Sequence, residues 1–420
     1  MEKLIKFIGE HSGDDISRLI LDRKKYPDID IDLAVNCIES RRKLKGKVLE
    51  WYQEPGLIFP AKLSAEQCSS SATGCYKAKL AESIATGFRS DGDKSGWTLV
   101  DLTGGLGVDS WFFSKKADKV VYNEMQTALC DAARHNFKIL QSDNIEIVNS
   151  MVSKGACLNS LGSLNPAEGN CPDIIYMDPA RRGEGGKKVF LIEDCTPDVL
   201  TIKEELFKYS RNLLIKLSPM ADITMVCNRL GHNCREVHVV ATGGECKELL
   251  IWIDREWNAE YIVTAVELHG ENQASTFSFN PSEERKETVG FKSDSQDRYL
   301  FEPGKALMKA GAFNLIGSRF GISKMGVSTH YYTTDCEKTA SILKDYGKVY
   351  EILERHNLDK RSIKALGNKY PKAEVSARNI PMDTDTLKKK LGITSGDDAH
   401  IFGLKSDSEG NILIAAKRIL

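Results

Sequence analysis

The stretch Asp101-Leu-Thr-Gly-Gly-Leu-Gly-Val-Asp109 decides the fold of this chain. It follows the apolar run Trp97-Thr-Leu-Val100 and leads into a helical pattern, so we predict a strand, a glycine turn and the start of a helix. Glycine permits positive φ and a close approach of backbone to a ligand, and the first turn of the next helix has free N–H groups. The turn is therefore predicted to bind a nucleotide-like cofactor.

Two classes of protein carry a glycine-rich turn after the first strand of an open parallel sheet. A dinucleotide site of the form G-x-G-x-x-G, counted from Gly105 and Gly107, would need a glycine where Ser110 stands. A methyltransferase needs an acid at the head of the loop, which Asp101 supplies, and a second acid for the ribose hydroxyls of S-adenosylmethionine. Glu124 follows the second strand pattern and supplies that acid, although it would also fit the ribose of NAD.

The last strands of the predicted sheet distinguish a dinucleotide-binding protein from a methyltransferase. Further strands are predicted at 145–148, 173–177, 213–217, 237–241 and 249–253, and crossover helices at 125–140, 198–209 and 220–230. Only seven residues, including Gly243-Gly244, separate the last two strands, whereas a parallel crossover needs about a dozen or more. We therefore predict an α/β, Rossmann-like sheet with a terminal antiparallel strand, which resembles the class I methyltransferase fold.

A second motif, Asp173-Ile-Ile-Tyr-Met-Asp178-Pro179-Ala180-Arg181-Arg182-Gly183, ends a buried-strand pattern at the carboxyl edge of the sheet, where such folds place their chemistry. It resembles the amine-methylating class I S-adenosylmethionine-dependent methyltransferases, which carry Asp/Asn-Pro-Pro-aromatic here. The resemblance implies that Asp178 and the following backbone carbonyl accept hydrogen bonds from the target amine. The motif also looks like Asp-Pro-Pro-Arg-x-Gly of RNA uracil-5 methyltransferases, but Lys216-Leu-Ser-Pro219 lacks their nucleophilic cysteine.

Two alternatives stay open. The first is a binding protein that kept the cofactor fold, lost catalysis and binds RNA or a protein partner. It stays open because Ala180 replaces the second proline and Arg181 replaces the aromatic residue. The second is a methyltransferase for a small molecule or a protein. The latter predicts little loss of activity when residues 331–420 are removed.

Motifs along the whole chain are similar to one family, the bacterial class I methyltransferases with a C-terminal THUMP-like domain. They are Glu66-Gln67-Cys-Ser-Ser-Ser-Ala-Thr73 with Tyr76-Lys77-Ala78, Cys130-Asp-Ala-Ala-Arg-His-Asn-Phe137, Asp178-Pro-Ala-Arg181 with Lys188-Val-Phe190, and Ser376-Ala-Arg-Asn-Ile-Pro-Met382. The resemblance implies S-adenosylmethionine as cofactor and RNA as substrate. The expected catalytic residues are Asp178 and Pro179, and the expected substrate-binding residues are Arg181, Arg182 and Lys216. The expected cofactor-binding residues are Gln67, Asp101, Thr103, Gly104, Gly105, Gly107, Asp109, Glu124, Met125, Asn149 and Ser150.

The composition indicates a multidomain globular protein. The chain has 420 residues, 41% of them hydrophobic and 28% charged, with a net charge of −1. No apolar run reaches the length of a membrane span, and the eleven cysteines show no Cys-x-x-Cys pair, so we expect a cytoplasmic protein with reduced thiols, no metal and no membrane partner. No feature of the sequence specifies an oligomeric state.

We predict four domains: an N-terminal helical region (1–60), the class I methyltransferase domain (61–256), a small α+β, ferredoxin-like domain (257–330) and the THUMP-like domain (331–420). Residues 360–390 contain nine Lys or Arg and three acids, which favours an anionic partner. A second basic cluster, at 41, 42, 43, 45 and 47, is either a solvated helix face or a phosphate contact. The stretch 69–74 is either a helix cap or a cover over the cofactor.

Overall fold

The computed structural model describes residues 1–87, 95–153, 171–181, 192–289 and 297–419. It divides the chain into two compact units. The first unit comprises Met1–Val237, Glu248–Tyr261 and Leu268–Gln273, and the second comprises His238–Lys247, Ile262–Glu267 and Ala274–Leu420. The four domain boundaries predicted above stay predictions. In the described part of the chain, no helix is both long enough and apolar enough to cross a membrane.

The helices are α1 (Glu2–Glu10), α2 (Ile16–Leu21), α3 (Ile31–Leu44), α4 (Leu49–Gln53), α5 (Lys62–Gln67), α6 (Ser71–Thr86), α7 (Val108–Ser114), α8 (Thr127–Ile139), α9 (Val199–Leu206), α10 (Ile223–Leu230), α11 (Pro281–Lys286), α12 (Lys305–Ala310), α13 (Leu315–Phe320), α14 (Glu337–Leu343), α15 (Lys360–Lys369) and α16 (Thr384–Leu391). The strands are β1 (Thr98–Asp101), β2 (Lys119–Asn123), β3 (Ile145–Val148), β4 (Ile174–Met177), β5 (Ala180–Arg181), β6 (Cys195–Thr196), β7 (Asn212–Leu217), β8 (Cys234–Thr242), β9 (Glu245–Asp254), β10 (Ile262–Leu268), β11 (Ala274–Phe279), β12 (Tyr299–Pro303), β13 (Ser323–Lys324), β14 (Tyr332–Thr334), β15 (Gly347–Asn357), β16 (Lys372–Arg378), β17 (Thr394–Ser406) and β18 (Gly410–Arg418).

The sheet of the first unit has the strand order β9-β7-β4-β1-β2-β3. The pairs β1–β2, β2–β3, β1–β4 and β4–β7 are parallel, and β7–β9 is antiparallel. Strands β4 and β7 are mostly apolar, and β4 and most of β7 are buried, as expected when helices cover both faces of a parallel sheet. The carboxyl ends of β1, β4 and β7 therefore lie side by side, which brings the two predicted motifs together.

The predicted hairpin is confirmed, but its antiparallel strand β9 is not the terminal strand of the sheet. Strands β8 and β9 are neighbours joined by Gly243 and Gly244, whose φ values of 61° and 80° require residues that tolerate the left-handed region. Strand β9 inserts between β7 and β8, so the antiparallel strand is the neighbour of β7. This is the expected topology of the class I methyltransferase sheet.

The basic cluster of the first fifty residues mostly binds groups of its own chain. The guanidinium of Arg41 donates to the carbonyl oxygens of Glu54, Pro55 and Leu57 at 2.6–3.0 Å. Arg42 donates to the carbonyls of Ser12 and Asp14, Lys43 pairs with Glu66, and the Lys47 ammonium contacts carbonyls at the end of α5. These contacts favour a third role for the cluster, in which it holds the loops around α3 in place.

The second unit contains a seven-stranded sheet with the order β13-β14-β12-β15-β18-β17-β16. All neighbouring pairs are antiparallel except β16–β17, which is parallel. Helices α15 and α16 bury Ile363, Leu366, Leu387 and Leu391 against Ile401 and other residues of this sheet. The basic residues Lys360, Arg361, Lys364, Lys389 and Lys390 stay exposed on these two helices.

Candidate active site

The loop after β1 is shaped by three glycines, each with a different constraint. Gly105 and Gly107 have φ of 54° and 90°. A Cβ at Gly107 would lie 2.7 Å from the ring of Phe137, and one at Gly104 would lie 2.2 Å from the ring of Tyr122. Because a methyl group cannot fit at Gly104 or Gly107 without movement of these rings, the loop backbone follows a path that only glycine allows.

Asp101 holds this loop together from within. Its Oδ1 accepts the N–H of Thr103 at 3.1 Å and its Oδ2 accepts the hydroxyl of Ser110 at 2.5 Å. The side chain is buried, and burial raises its pKa to about 7 despite these two hydrogen bonds. The predicted contact of Asp101 with a cofactor therefore stays a prediction, while its contact with its own loop is explicit.

Glu124 lies where a ribose-binding acid is expected, at the end of β2 beside the glycine loop. Its Oε2 accepts the N–H of Gly105 at 3.0 Å, and its Oε1 accepts the N–H of Gln126 at 2.9 Å. Each carboxylate oxygen has two lone pairs, so both oxygens can accept one more hydrogen bond from a vicinal diol. The side chain is therefore fixed in place and still has acceptor capacity.

The residues predicted near the adenine lie beside Glu124. The side-chain amide of Asn149 donates to the carbonyl of Glu124 at 2.7 Å, and the hydroxyl of Ser150 donates to Asn123 at 2.7 Å. Met125 directly follows Glu124 and is 56% exposed. The structure thus places an exposed apolar side chain and a fixed loop at the end of β3 next to the ribose-binding acid.

Asp178 follows β4 and is tied to both neighbouring strand ends. Its backbone N–H donates to the Thr103 hydroxyl at 2.7 Å, so the second motif is hydrogen-bonded to the glycine loop. Its carboxylate oxygen Oδ2 accepts from the ammonium of Lys216, which lies on β7. The Asp178 side chain is 39% exposed and the Lys216 side chain is 12% exposed. The carboxylate of Asp178 is therefore partly exposed to solvent, and the more deeply buried ammonium of Lys216 contacts it.

Behind this pair lie buried charges, of which only Asp109 is predicted as a site residue from the sequence. Lys77 of α6 is completely buried, and its Nζ donates to the Ser69 hydroxyl at 2.8 Å and to both carboxylate oxygens of Glu248 at 2.8 and 3.0 Å. It also lies 3.3 Å from Oδ1 of Asp109, in an ion pair without hydrogen-bond geometry. We call Lys77, Asp109, Asp178, Lys216 and Glu248 the ionic cluster.

The charges of the cluster affect one another strongly. Burial opposes the charged form of Lys216, but the carboxylates of Asp178, Asp109 and Glu248 outweigh it and raise the pKa of Lys216. Burial likewise acts to raise the pKa of Asp109, but Lys77 and Lys216 together lower it, and Tyr176 donates its hydroxyl to Oδ2 at 2.8 Å. Lys216 and Asp109 are thus both stabilised in their charged forms, whereas burial raises the pKa of Glu248 although Lys77 and Lys216 oppose this shift.

A sequence signal for the cluster exists in α6. Lys77 takes a position on the same buried stripe as Ala81 and Ile84, four and seven residues further on. A lysine on an apolar helix face is rarely fully buried unless it is paired, so this position predicts a buried acid. Its partner Glu248 is 171 residues away along the chain, which local pattern cannot supply.

For some predicted site residues, the described part of the structure gives no contact that supports the predicted role. Gln67 is exposed at the end of α5. Arg182 and the segment 188–190 lie outside the described residues, and Arg181 is described only by its backbone in β5. In the stretch 69–74, Ser70 caps α6 through a reciprocal pair with Thr73, and Ser69 binds Lys77. Within the described ranges, no group of His, Cys, Asp and Glu is arranged to hold a metal ion.

Two segments of the second unit match known families. Residues 299–344 match the family model of a ferredoxin-like domain, and residues 347–418 match that of a THUMP-like domain. The ferredoxin-like match therefore crosses the predicted boundary at 330. No functionally curated protein matches the chain.

A solved structure resembles the whole chain. It is a candidate methyltransferase from Porphyromonas gingivalis W83, with 28% sequence identity and a TM-score of 0.83, and the match covers 100% of this chain and 98% of that one. Two others match more weakly: a type I restriction-modification methyltransferase subunit from Streptococcus thermophilus (17% identity, 47% and 48% coverage, TM-score 0.31) and a candidate RNA methyltransferase from Pyrococcus horikoshii (15% identity, 40% and 70% coverage, TM-score 0.27).

The class of protein follows from the sheet order, the whole-length similarity and the C-terminal match. The chain combines a class I methyltransferase fold with a C-terminal THUMP-like domain, which confirms the family resemblance found in its sequence.

Proposed function

We propose that this protein transfers a methyl group from S-adenosylmethionine to an amine nitrogen of RNA, with the acceptor positioned by Asp178 and Pro179. The observation that carries the proposal is the hydrogen bond from the Asp178 N–H to Thr103. It couples the expected acceptor motif directly to the expected cofactor loop. Methyl transfer needs those two groups at a fixed separation, because orientation alone can contribute roughly 7 to 11 kcal/mol.

The residues present fit S-adenosylmethionine. Glycines 104, 105 and 107 allow the ligand to approach the loop backbone, and Glu124 has spare acceptor capacity for two ribose hydroxyls. Bound there, the cofactor would supply an electrophilic methyl group on a sulfonium. The chain's own task is then to hold the cofactor at Glu124 and the glycine loop, and the acceptor at Asp178.

The geometry of Asp178 supports an amine as acceptor. Lys216 contacts Oδ2, so Oδ1 can accept a hydrogen bond from an N–H of the acceptor. An amine already has a lone pair for attack and needs orientation more than a strong base. The charged Lys216 donates protons in hydrogen bonds and cannot serve as that base.

RNA as the substrate is supported by the second unit. Its match to the THUMP-like family and the exposed lysines and arginines of α15 and α16 both favour an anionic partner. Arg181 and Arg182 are proposed to contact the same substrate near Asp178.

The test is methylation of RNA from cells that lack the gene, with isotope-labelled S-adenosylmethionine. Asp178→Ala should abolish incorporation and leave the affinity for S-adenosylhomocysteine, measured by calorimetry, nearly unchanged. Asp143→Ala, which changes an exposed carboxylate, should behave as wild type. Loss of S-adenosylhomocysteine affinity in Asp178→Ala would instead make Asp178 a cofactor residue. Binding of NAD without S-adenosylmethionine would refute the function, and RNA binding without any transfer would favour the catalytically inactive alternative.

A further inference from the structure

The ionic cluster contains more negative than positive groups. It contains two ammonium groups and three carboxylates, so its net charge is −1 when all five groups are ionised. The exposed fractions of its side chains fall steadily with depth: 39% for Asp178, 12% for Lys216, 11% for Asp109, 4% for Glu248 and 0% for Lys77. The charged side chains of the cluster therefore extend from Asp178, at the expected acceptor position, into the protein interior.

A buried uncompensated charge is costly, so it persists only with a suitable counter-charge nearby. Lys77 cannot take a further partner, since its ammonium already contacts Ser69, Glu248 and Asp109. The surplus negative charge therefore acts outward, through the Lys216–Asp178 pair, on whatever binds at the end of β4. A cationic ligand group at that point would complete the balance.

We infer that Glu248 and Lys77 set the net charge of the cluster at −1 so that the site selects the cationic sulfonium of S-adenosylmethionine over the neutral thioether of its product, S-adenosylhomocysteine. This inference rests on the proposed function, because transfer to an acceptor at Asp178 requires the sulfonium to be one methyl group away from that acceptor. Neither Glu248 nor Lys77 would touch the cofactor. Both act through the field of the cluster.

The size of the effect follows from Coulomb's law. One elementary charge within roughly 10 Å of the sulfonium, at an effective dielectric constant of about 20, changes affinity by the order of tenfold. The same charge hardly changes the affinity for the neutral thioether. The ratio of the two affinities therefore reports the charge of the cluster, whereas general damage to the pocket weakens both ligands together.

Glu248→Gln removes one negative charge and keeps an oxygen that can accept from Lys77. We expect it to lower the preference for S-adenosylmethionine over S-adenosylhomocysteine about tenfold, measured by calorimetry at about pH 8. The double variant Lys77→Met/Glu248→Gln removes one charge of each sign and returns the cluster to −1. It should restore the preference to within about threefold of wild type.

Lys79→Met is the matched control, because it removes an exposed ammonium two residues along the same helix. It should leave both affinities unchanged. A cofactor analogue with a protonated amine in place of the sulfonium should follow S-adenosylmethionine through the whole series. Thermal unfolding of each variant shows whether the fold is retained.

Two results would overturn the inference. The first is an equal loss of both affinities in Glu248→Gln, which would make the residue purely structural. The second is a double variant that keeps the lowered preference of Glu248→Gln. Failure of the wild-type protein to bind S-adenosylmethionine at all is a different result, since it refutes the proposed function itself.

Discussion

Asp101 is a buried carboxylic acid whose pKa of about 7 lies well above its ordinary value of 3.8. Burial disfavours its charged form more than the hydrogen bonds from Ser110 and Thr103 favour it. The folded protein therefore keeps a proton that the unfolded chain releases as the pH rises from about 4 to 7. By linkage, the stability that Asp101 contributes is fully present below pH 3.8 and is lost as the pH rises through about 7.

This sign gives a prediction for Asp101→Asn, which cannot titrate. The free energy of unfolding of the wild type minus that of the variant should fall between pH 4 and 7, by at most about 1.4 kcal/mol per unit, and level off above. Urea denaturation at a series of pH values measures it. Asp143→Asn serves as the control for removal of an exposed carboxylate. A difference that rises with pH would show that Asp101 is stabilised in its charged form.

At the scale of elements, Arg41 joins α3 to the chain that follows α4. Its guanidinium satisfies carbonyls in a segment without regular structure, where the backbone lacks partners of its own. Arg41→Met should lower the free energy of unfolding by about 2 to 4 kcal/mol, because several carbonyls lose a charged hydrogen-bond donor at once. Denaturant unfolding measures this decrease.

Arg42→Met is the comparison for that experiment, since Arg42 is exposed and binds two carbonyls. Its cost should stay below about 1 kcal/mol. RNA affinity should be unchanged in both variants if the cluster holds loops. A weaker affinity for RNA without loss of stability would instead support the phosphate contact that the sequence left open.

The sequence predicts the elements of the first unit better than their contacts. Apolar runs locate β1 to β4 and β7, and the short spacing at Gly243-Gly244 predicts a hairpin. The insertion of β9 between β7 and β8 does not follow from spacing, because either strand of a hairpin can pair with β7. That choice depends on which strand buries its side chains against the covering helices.

The same limit applies to the candidate site. Asp178 and Lys216 are both predicted from their positions at the carboxyl ends of parallel strands, yet their ion pair is not, since it joins residues 38 apart. The burial of Glu248 cannot be predicted from its local sequence, because a charged residue near the start of a buried strand can equally lie at an exposed strand end. Its role becomes visible only when β9 lies next to β7 and α6 places Lys77 behind both.

At the scale of the whole molecule, the three lysines in the last turn of α16 provide a test of RNA binding. Neutralising Lys388, Lys389 and Lys390 together to Gln should weaken RNA binding and reduce its salt dependence. The log–log slope should decrease by about 0.7 for each phosphate of a single strand that is no longer neutralised by a lysine. Cofactor affinity should not change. Fluorescence anisotropy at several salt concentrations measures both the affinity and the slope.

A triple variant in the first unit, Lys3→Gln, Lys24→Gln and Lys25→Gln, makes the same change in net charge at exposed positions. It should affect RNA affinity much less. An equal decrease of affinity in the two triple variants would show that only the total charge matters, and that the second unit has no dedicated RNA surface.

The division of the chain into two units has a consequence for inheritance. The backbone passes from one unit to the other after residues 237, 247, 261, 267 and 273. A module acquired by gene fusion normally joins its neighbour through a single linker, so one recombination event can exchange it. Here no single crossover in the gene could replace either unit intact. We therefore expect the two units to descend together, as the end-to-end similarity to the Porphyromonas gingivalis protein already suggests.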